Sequence, residues 1–131
     1  MIRRFALGCA TLCFCFAAAG FAQDAVKADP AHYKIESENA KVRILRVHYG
    51  PHEKSVMHSH PDSVAVFLTD GTVRFTLPGG KTQDSTVKAG QAQYTPAQVH
   101  DPENIGDAPL ELVLIEFKGH AAKTAAKTPA N

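Results

Sequence analysis

The sequence predicts an all-β protein, a small antiparallel β-barrel of jelly-roll form, and three observations lead there. Beyond residue 22 no stretch repeats its apolar residues with the period of a helix. The chain there is a series of short runs rich in Val, Ile, Thr, Phe and Tyr, with partial period-two alternation. The runs are cut at regular intervals by Gly, Pro and Asp, so that about nine short strands alternate with turns, as in closed antiparallel architectures. An immunoglobulin-like sandwich has a similar strand count. Its Cys and Trp landmarks are missing here, since the sequence has no Trp and its cysteines all precede residue 16.

Taken in order, the chain of 131 residues opens on a leader. Arg3 and Arg4 form a basic start, Phe5 to Ala19 an apolar stretch, and Gly20-Phe21-Ala22 a small-x-small exit, the order of a secretory signal peptide cleaved after Ala22. The apolar run is shorter than the ~20 residues that span a bilayer, so the mature chain is expected to keep no membrane anchor. Residues 23–32 are small and polar and are expected as an exposed lead-in. The barrel is expected over 33–118. Residues 119–131 are Ala, Lys, Thr and Pro with no large apolar side chain, a composition expected to stay disordered.

Within the barrel, Tyr33 to Ser37 starts the ordered body, Lys41 to Tyr49 reads as a strand ended by Gly50-Pro51, and Val56 to His60 as a further one ended by Pro61-Asp62. Val64 to Thr69 and Thr72 to Leu77, joined by Asp70-Gly71, are expected to pair as a hairpin, because Asp-Gly tolerates the positive φ angles of tight turns. Thr82 to Val87, Gln91 to Thr95, Val99 to Ile105 and Leu110 to Lys118 complete the set, with turns at Pro78-Gly79-Gly80, Ala89-Gly90 and Gly106 to Pro109.

Composition excludes several classes of function. The leader carries Arg3 and Arg4 and no acid, so the 14 basic and 13 acidic residues of the whole chain become 12 and 13 after cleavage, a formal charge of −1. Neither nucleic acid nor an anionic membrane surface is an expected partner. Cys9, Cys13 and Cys15 leave with the leader, so the exported protein has no thiol chemistry and no disulfide, and its core must hold it together. A phosphate-binding glycine loop and a serine nucleophile motif are also absent.

The chemistry lies in Met57-His58-Ser59-His60-Pro61-Asp62. On a strand, side chains at i and i+2 leave the same face, so His58 and His60 converge on one point. His100 enters a later strand. Three neutral imidazoles with water or substrate in the remaining positions are a common catalytic metal arrangement, and a divalent transition metal (Fe, Mn, Zn, Ni or Cu) is the expected cofactor. No catalytic residue is assigned. Asp62 and Glu103 lie near the histidines in sequence and are candidates to supply charge, though each also suits a solvated turn or strand edge. Phe67, Phe75 and Tyr94 are candidates to line a pocket. His48 reads as structural or interfacial and His52 with Glu53 as a polar loop, while His32 and His120 receive no role.

Together these residues resemble the cupin family. Gly50, His58-Ser59-His60 and Gly71 are similar to its first motif, and Gly90, Pro96, His100 and Asn104 to its second, over roughly 33–118. Counting back from Gly71 puts the family's ligand glutamate at position 64, where this sequence has Val64; Gln98 stands where the second motif usually has Gly. The resemblance implies a small single-domain barrel with a three-histidine site. It implies either an oxygenase or isomerase acting on a small polar molecule, or a ligand-binding or sensing module with a degenerate site. It also implies a homodimer, in keeping with Val42 to Tyr49 and Leu110 to Phe117, which are apolar on both faces in places.

The leader makes the protein an expected periplasmic or secreted one. Mass spectrometry of material released by osmotic shock should find a chain beginning near Gln23; an active protein that retains Met1 would refute the export reading.

Overall fold

The computed structural model describes residues 22–119. The expected signal peptide, except Ala22, and the expected tail beyond Gly119 lie outside the described residues, as does His120. Ten strands and one short helix succeed one another in chain order: β1 (Gln23–Asp24), α1 (Ala25–Ala28), β2 (Tyr33–Glu38), β3 (Val42–Tyr49), β4 (His58–His60), β5 (Ser63–Phe67), β6 (Gly71–Thr76), β7 (Thr82–Val87), β8 (Ala92–Thr95), β9 (Gln98–Asn104) and β10 (Leu110–Phe117).

Period-two alternation decides what each strand buries. On β3, Leu45, Val47 and Tyr49 point inward, while Arg46 and His48 alternate with them on the other face. On β10, Leu110, Leu114 and Glu116 are buried, and on β5 Ser63, Ala65 and Phe67. Two five-stranded sheets result, ordered β1-β4-β9-β6-β7 and β2-β3-β10-β5-β8, and their inward faces enclose one core. Every pairing is antiparallel except that of β1 with β4. From β3 to β6 the chain changes sheet at each successive strand, and again from β7 to β10, which is the winding of a jelly roll.

Two expectations are corrected. The hairpin between Val64–Thr69 and Thr72–Leu77 does not form: β5 pairs with β10 and β8, and β6 with β7 and β9. Asp70-Gly71 is instead a crossing between sheets, held because Asp70 accepts hydrogen bonds from the Ala89 amide at 2.9 Å and from Lys88 at 2.9 Å. Gly71 is required there by close approach and not by φ, since a Cβ at this position would lie 2.7 Å from Leu110 Cδ1. The tight hairpin lies one connection later, between β6 and β7, where Gly79 and Gly80 have φ of 90° and 88°.

The second correction concerns 23–32, expected as an exposed lead-in. Gln23 and Asp24 pair in parallel register with His58 and Ser59, Ala25 is fully buried, and Asp29 is buried. Small side chains let this strap lie close against the barrel, and its acids find partners inside. By contrast, Val56 and Met57, expected in a strand, are half exposed, and the β4 strand is confined to the histidine pair and Ser59.

Asn104 closes the end of the barrel. Its buried amide donates to the carbonyls of Gly50 and Ala108 at 2.9 Å each and accepts from Gly106 N at 3.0 Å, tying two loops to β9. The crossing at Gly71 gives a test of packing: Gly71→Ala should cost about 1–3 kcal/mol in urea unfolding. The loss should shrink in a Leu110→Val background, which lacks Cδ1; the same loss in both backgrounds would place the strain elsewhere.

Candidate metal centre

β4 and β9 lie side by side, with His58 opposite His100 and His60 opposite Gln98. The i, i+2 spacing turns His58 and His60 to one face, and the cross-strand register brings His100 beside them. All three are buried, and one nitrogen from each falls within 4.8 Å of the others. The structure thus brings together the three histidines that the sequence singled out. Phe75 of β6 stacks on His100, with centroids 5.1 Å apart at 19°, and Tyr33 meets His58 edge-on at 4.9 Å.

Hydrogen bonds behind the rings fix their tautomers. His58 Nδ1 lies 2.7 Å from the Val56 carbonyl, which can only accept, so that nitrogen carries the proton. His60 Nδ1 lies 2.7 Å from Glu116 Oε1, a carboxylate whose other oxygen takes Arg43 Nε at 2.6 Å, so it donates as well. The nitrogens left over, the two Nε2 atoms, face each other at 3.0 Å. Two bare lone pairs at that distance would repel, so either a proton shared as N–H···N or a metal cation belongs between them. Neither nitrogen of His100 has a hydrogen-bond partner. Ligand nitrogens at right angles on an ion with bonds of ~2.1 Å stand ~3.0 Å apart. The three rings are thus compatible with a metal site, by their nitrogens, tautomers and spacing.

The electrostatics fit the same description. Burial, reinforced by the neighbouring imidazole of His60, holds His58 down to about 4 and His100 down to about 3, the latter with His58 contributing. Both rings are therefore neutral, as ligands must be.

Asp62 and Glu103 hold the turn and strand-edge places that the sequence also allowed them. Asp62 accepts from the Ala97 amide at 2.8 Å, and Glu103 sits opposite Arg74 on the β9–β6 ladder; neither lines the cavity in front of the histidines. Val64 also points away from it, paired with Ile115 and Tyr94, whereas its neighbours Ser63 and Ala65 line it. The motif count lands on the outward face of β5, so a carboxylate restored at position 64 would not meet an ion. The charge comes from Glu116, which is 1% exposed. It stands on the inward face of β10 in series with Leu110, Leu112 and Leu114, and a lone acid in that apolar alternation was the signal available in the sequence.

A further chain of polar groups runs behind His58. Ser55 donates to Asp29 at 2.5 Å and lies 3.3 Å from His58 Nδ1. Asp29 also holds His32 Nδ1 at 2.7 Å, and His32 stacks on Tyr49 at 4.4 Å, so this histidine, given no role from sequence, belongs to the site's support. His52 is an exposed partner of Asp107 and His48 is exposed on β3, in line with peripheral places for both. Phe67 and Phe75 line the cavity as expected, and Tyr94 does not: it is 58% exposed on the outer side of β8.

This fold and site define a small β-barrel with an interior histidine cluster, and comparison with known proteins gives the class its name. The cupin-domain family matches residues 45–116, and the chain belongs to that family. Among solved structures it is similar to a cupin domain from Bordetella pertussis, at 25% identity, with 66% of this chain and 92% of that one covered and a TM-score of 0.62. A conserved protein with a double-stranded β-helix domain from Klebsiella pneumoniae is similar at 23% identity, 68% and 77% coverage and a TM-score of 0.55. A cupin family protein with a double-stranded β-helix fold from Methanocaldococcus jannaschii gives 18%, 65%, 77% and 0.53. The last two likenesses show the fold alone. No curated protein matches the chain.

The buried neutral histidines should make the metal-free protein acid-labile. Above the ordinary imidazole value of ~6.5 both folded and unfolded chains are unprotonated at His58 and His100, and stability is complete. As pH falls below that value the unfolded chain takes up protons that the folded one refuses until about 4 and about 3, so stability is lost across this window. Tm measured with chelator present should fall between pH 7 and pH 5, and less steeply in His100→Gln. A Tm that is level over this range would contradict the buried neutral assignment.

Proposed function

We propose that the protein is an exported metal-binding cupin that holds a single divalent transition metal on His58, His60 and His100 and takes a small molecule at that ion. The observation that carries this reading is the convergence of the His58 and His60 Nε2 atoms, 3.0 Å apart, with the partnerless nitrogens of His100 beside them. A bound ion would supply Lewis acidity and open positions for oxygen or sulfur donors of the ligand.

The cavity in front of the histidines narrows the chemistry. It encloses about 200 Å³ and is walled by aromatic and aliphatic side chains, with Gln83, Gln93 and Gln98 among its polar groups. Among the described residues no Asp, Glu, Lys, Arg or Cys lines it. The ligand that suits it is small, binds the ion through one polar head, and carries no second charge, because a buried charge would find no partner. Tyr33 accepts from the Tyr49 hydroxyl at 2.8 Å, which leaves its own proton to donate to such a ligand. Burial, with the Tyr49 hydroxyl beside it, pushes the Tyr33 phenol well above its usual range, so it donates and does not act as a base.

Of the reactions the family resemblance implies, isomerisation by proton transfer needs a general base facing the substrate. Among the described residues no carboxylate or amine lines the cavity, and the histidines would be taken up as ligands. A reaction centred on the ion, of the oxygenase kind, fits these walls better. Ligand binding without reaction is the other reading, favoured by the same lack of acid and base groups.

Metal-free protein titrated with Fe²⁺, Mn²⁺, Co²⁺ or Zn²⁺ should take up about one ion per chain. His60→Ala and His100→Ala should each lose most of that affinity while remaining folded by circular dichroism. Wild-type protein that binds none of these ions would end the metal reading.

A further inference from the structure

The site offers three imidazoles and no carboxylate, so an ion bound there would keep its double positive charge inside the barrel. Such a charge is costly unless negative groups stand close behind the ligands. Glu116 is the nearest, but it is paired with Arg43, which lies 2.5 Å from Glu116 Oε2. Those two alone are neutral. Arg43 has a second partner in Asp24 of β1, with Arg43 Nη1 donating to Asp24 Oδ1 at 3.2 Å and a further contact between Nη2 and Oδ2. Asp24, Arg43 and Glu116 together carry one net negative charge, and Asp24 is what makes it so.

A second negative group stands behind His58. Asp29 takes the Ser55 hydroxyl at 2.5 Å and His32 at 2.7 Å, and Glu53 lies 3.2 Å from the other nitrogen of His32. With two carboxylates against one ring, this cluster stays negative whether His32 is neutral or protonated.

Asp24 and Asp29 both belong to the strap of residues 23–32, which precedes the part of the chain that matches the cupin domain. The strap is held against the ligand strand, through Gln23 opposite His58 and Asp24 opposite Ser59, with Ala25 fully buried. We propose that this N-terminal strap is a positioning and charge-balancing element of the site. In this reading Asp24 and Asp29 supply from behind the ligands the negative charge that the ligand set lacks, and thereby set its affinity for divalent metal.

Asp29 reaches His58 through Ser55, and Asp24 reaches His60 through Arg43 and Glu116. Both are also held as carboxylates. Burial pushes Asp24 up, but Arg43 and the Val26 and Lys27 amides bring it below its usual range; for Asp29 the Ser55 and His32 hydrogen bonds do the same. Neither residue touches the cavity, so neither is catalytic.

The inference rests on the metal reading, and full-length mature protein with Co²⁺ as the probe separates the two. Asp24→Asn and Asp29→Asn should each weaken Co²⁺ binding by roughly 3- to 10-fold, less than the 10- to 100-fold of groups bonded directly to a ligand, because Asp24 acts through Arg43 and Glu116 and Asp29 through Ser55. Asp84→Asn, an exposed acid paired with Arg74, should leave binding unchanged. The deciding variant is Asp24→Asn combined with Arg43→Gln. It breaks more contacts than Asp24→Asn alone but leaves Glu116 with its charge unopposed, so affinity should recover toward wild type even where Tm falls further. Affinity that follows Tm through the series, or single variants that bind Co²⁺ as wild type does, would overturn the role of the strap and leave the metal site standing. Wild-type protein that binds no Co²⁺ would overturn both.

Discussion

The structure turns on one buried carboxylate. Glu116 reaches from the last strand to His60 with one oxygen and to Arg43 with the other, and 1% of it is exposed. A lone carboxylate in an apolar interior would be strongly unfavourable; with a guanidinium and an imidazole N–H on its two oxygens it is satisfied. This pairing fixes the tautomer of His60, turns its Nε2 toward His58, and ties β10, β3 and β4 together across the two sheets. The barrel positions the carboxylate, and the carboxylate positions the histidine.

Much of this was legible in the sequence. The turn residues marked out nine of the ten strands, all but β1, because turn chemistry and period two are local properties of the chain. The His58–His60 pair could be read for the same reason, and His100 through the spacing of the second motif. What could not be read was long-range. Pairing of β5 with β10 and not with its neighbour β6 depends on how two sheets wind, and nothing local to Asp70-Gly71 encodes it. Position 64 was misplaced by a count along the motif that ignored the pleat: Ser63 and Ala65 face inward and Val64 cannot.

The strap was misread for a more general reason. Polar, small-residue composition argues for exposure only while its acids lack partners. Asp24 and Asp29 find theirs in Arg43, Ser55 and His32, all distant in sequence or unremarkable by type. Sites of this kind are built in layers, and the outer layer carries little signature because any acid with a suitable partner will serve.

Asp24 and Glu116 lie near opposite ends of the described chain and meet on the same arginine. A partly threaded chain can therefore contain all three histidines and still lack the carboxylate that orients His60. Only when the first strand and the last have both docked is the pairing behind His60 complete, so Arg43 acts as a latch that joins the two ends of the described barrel.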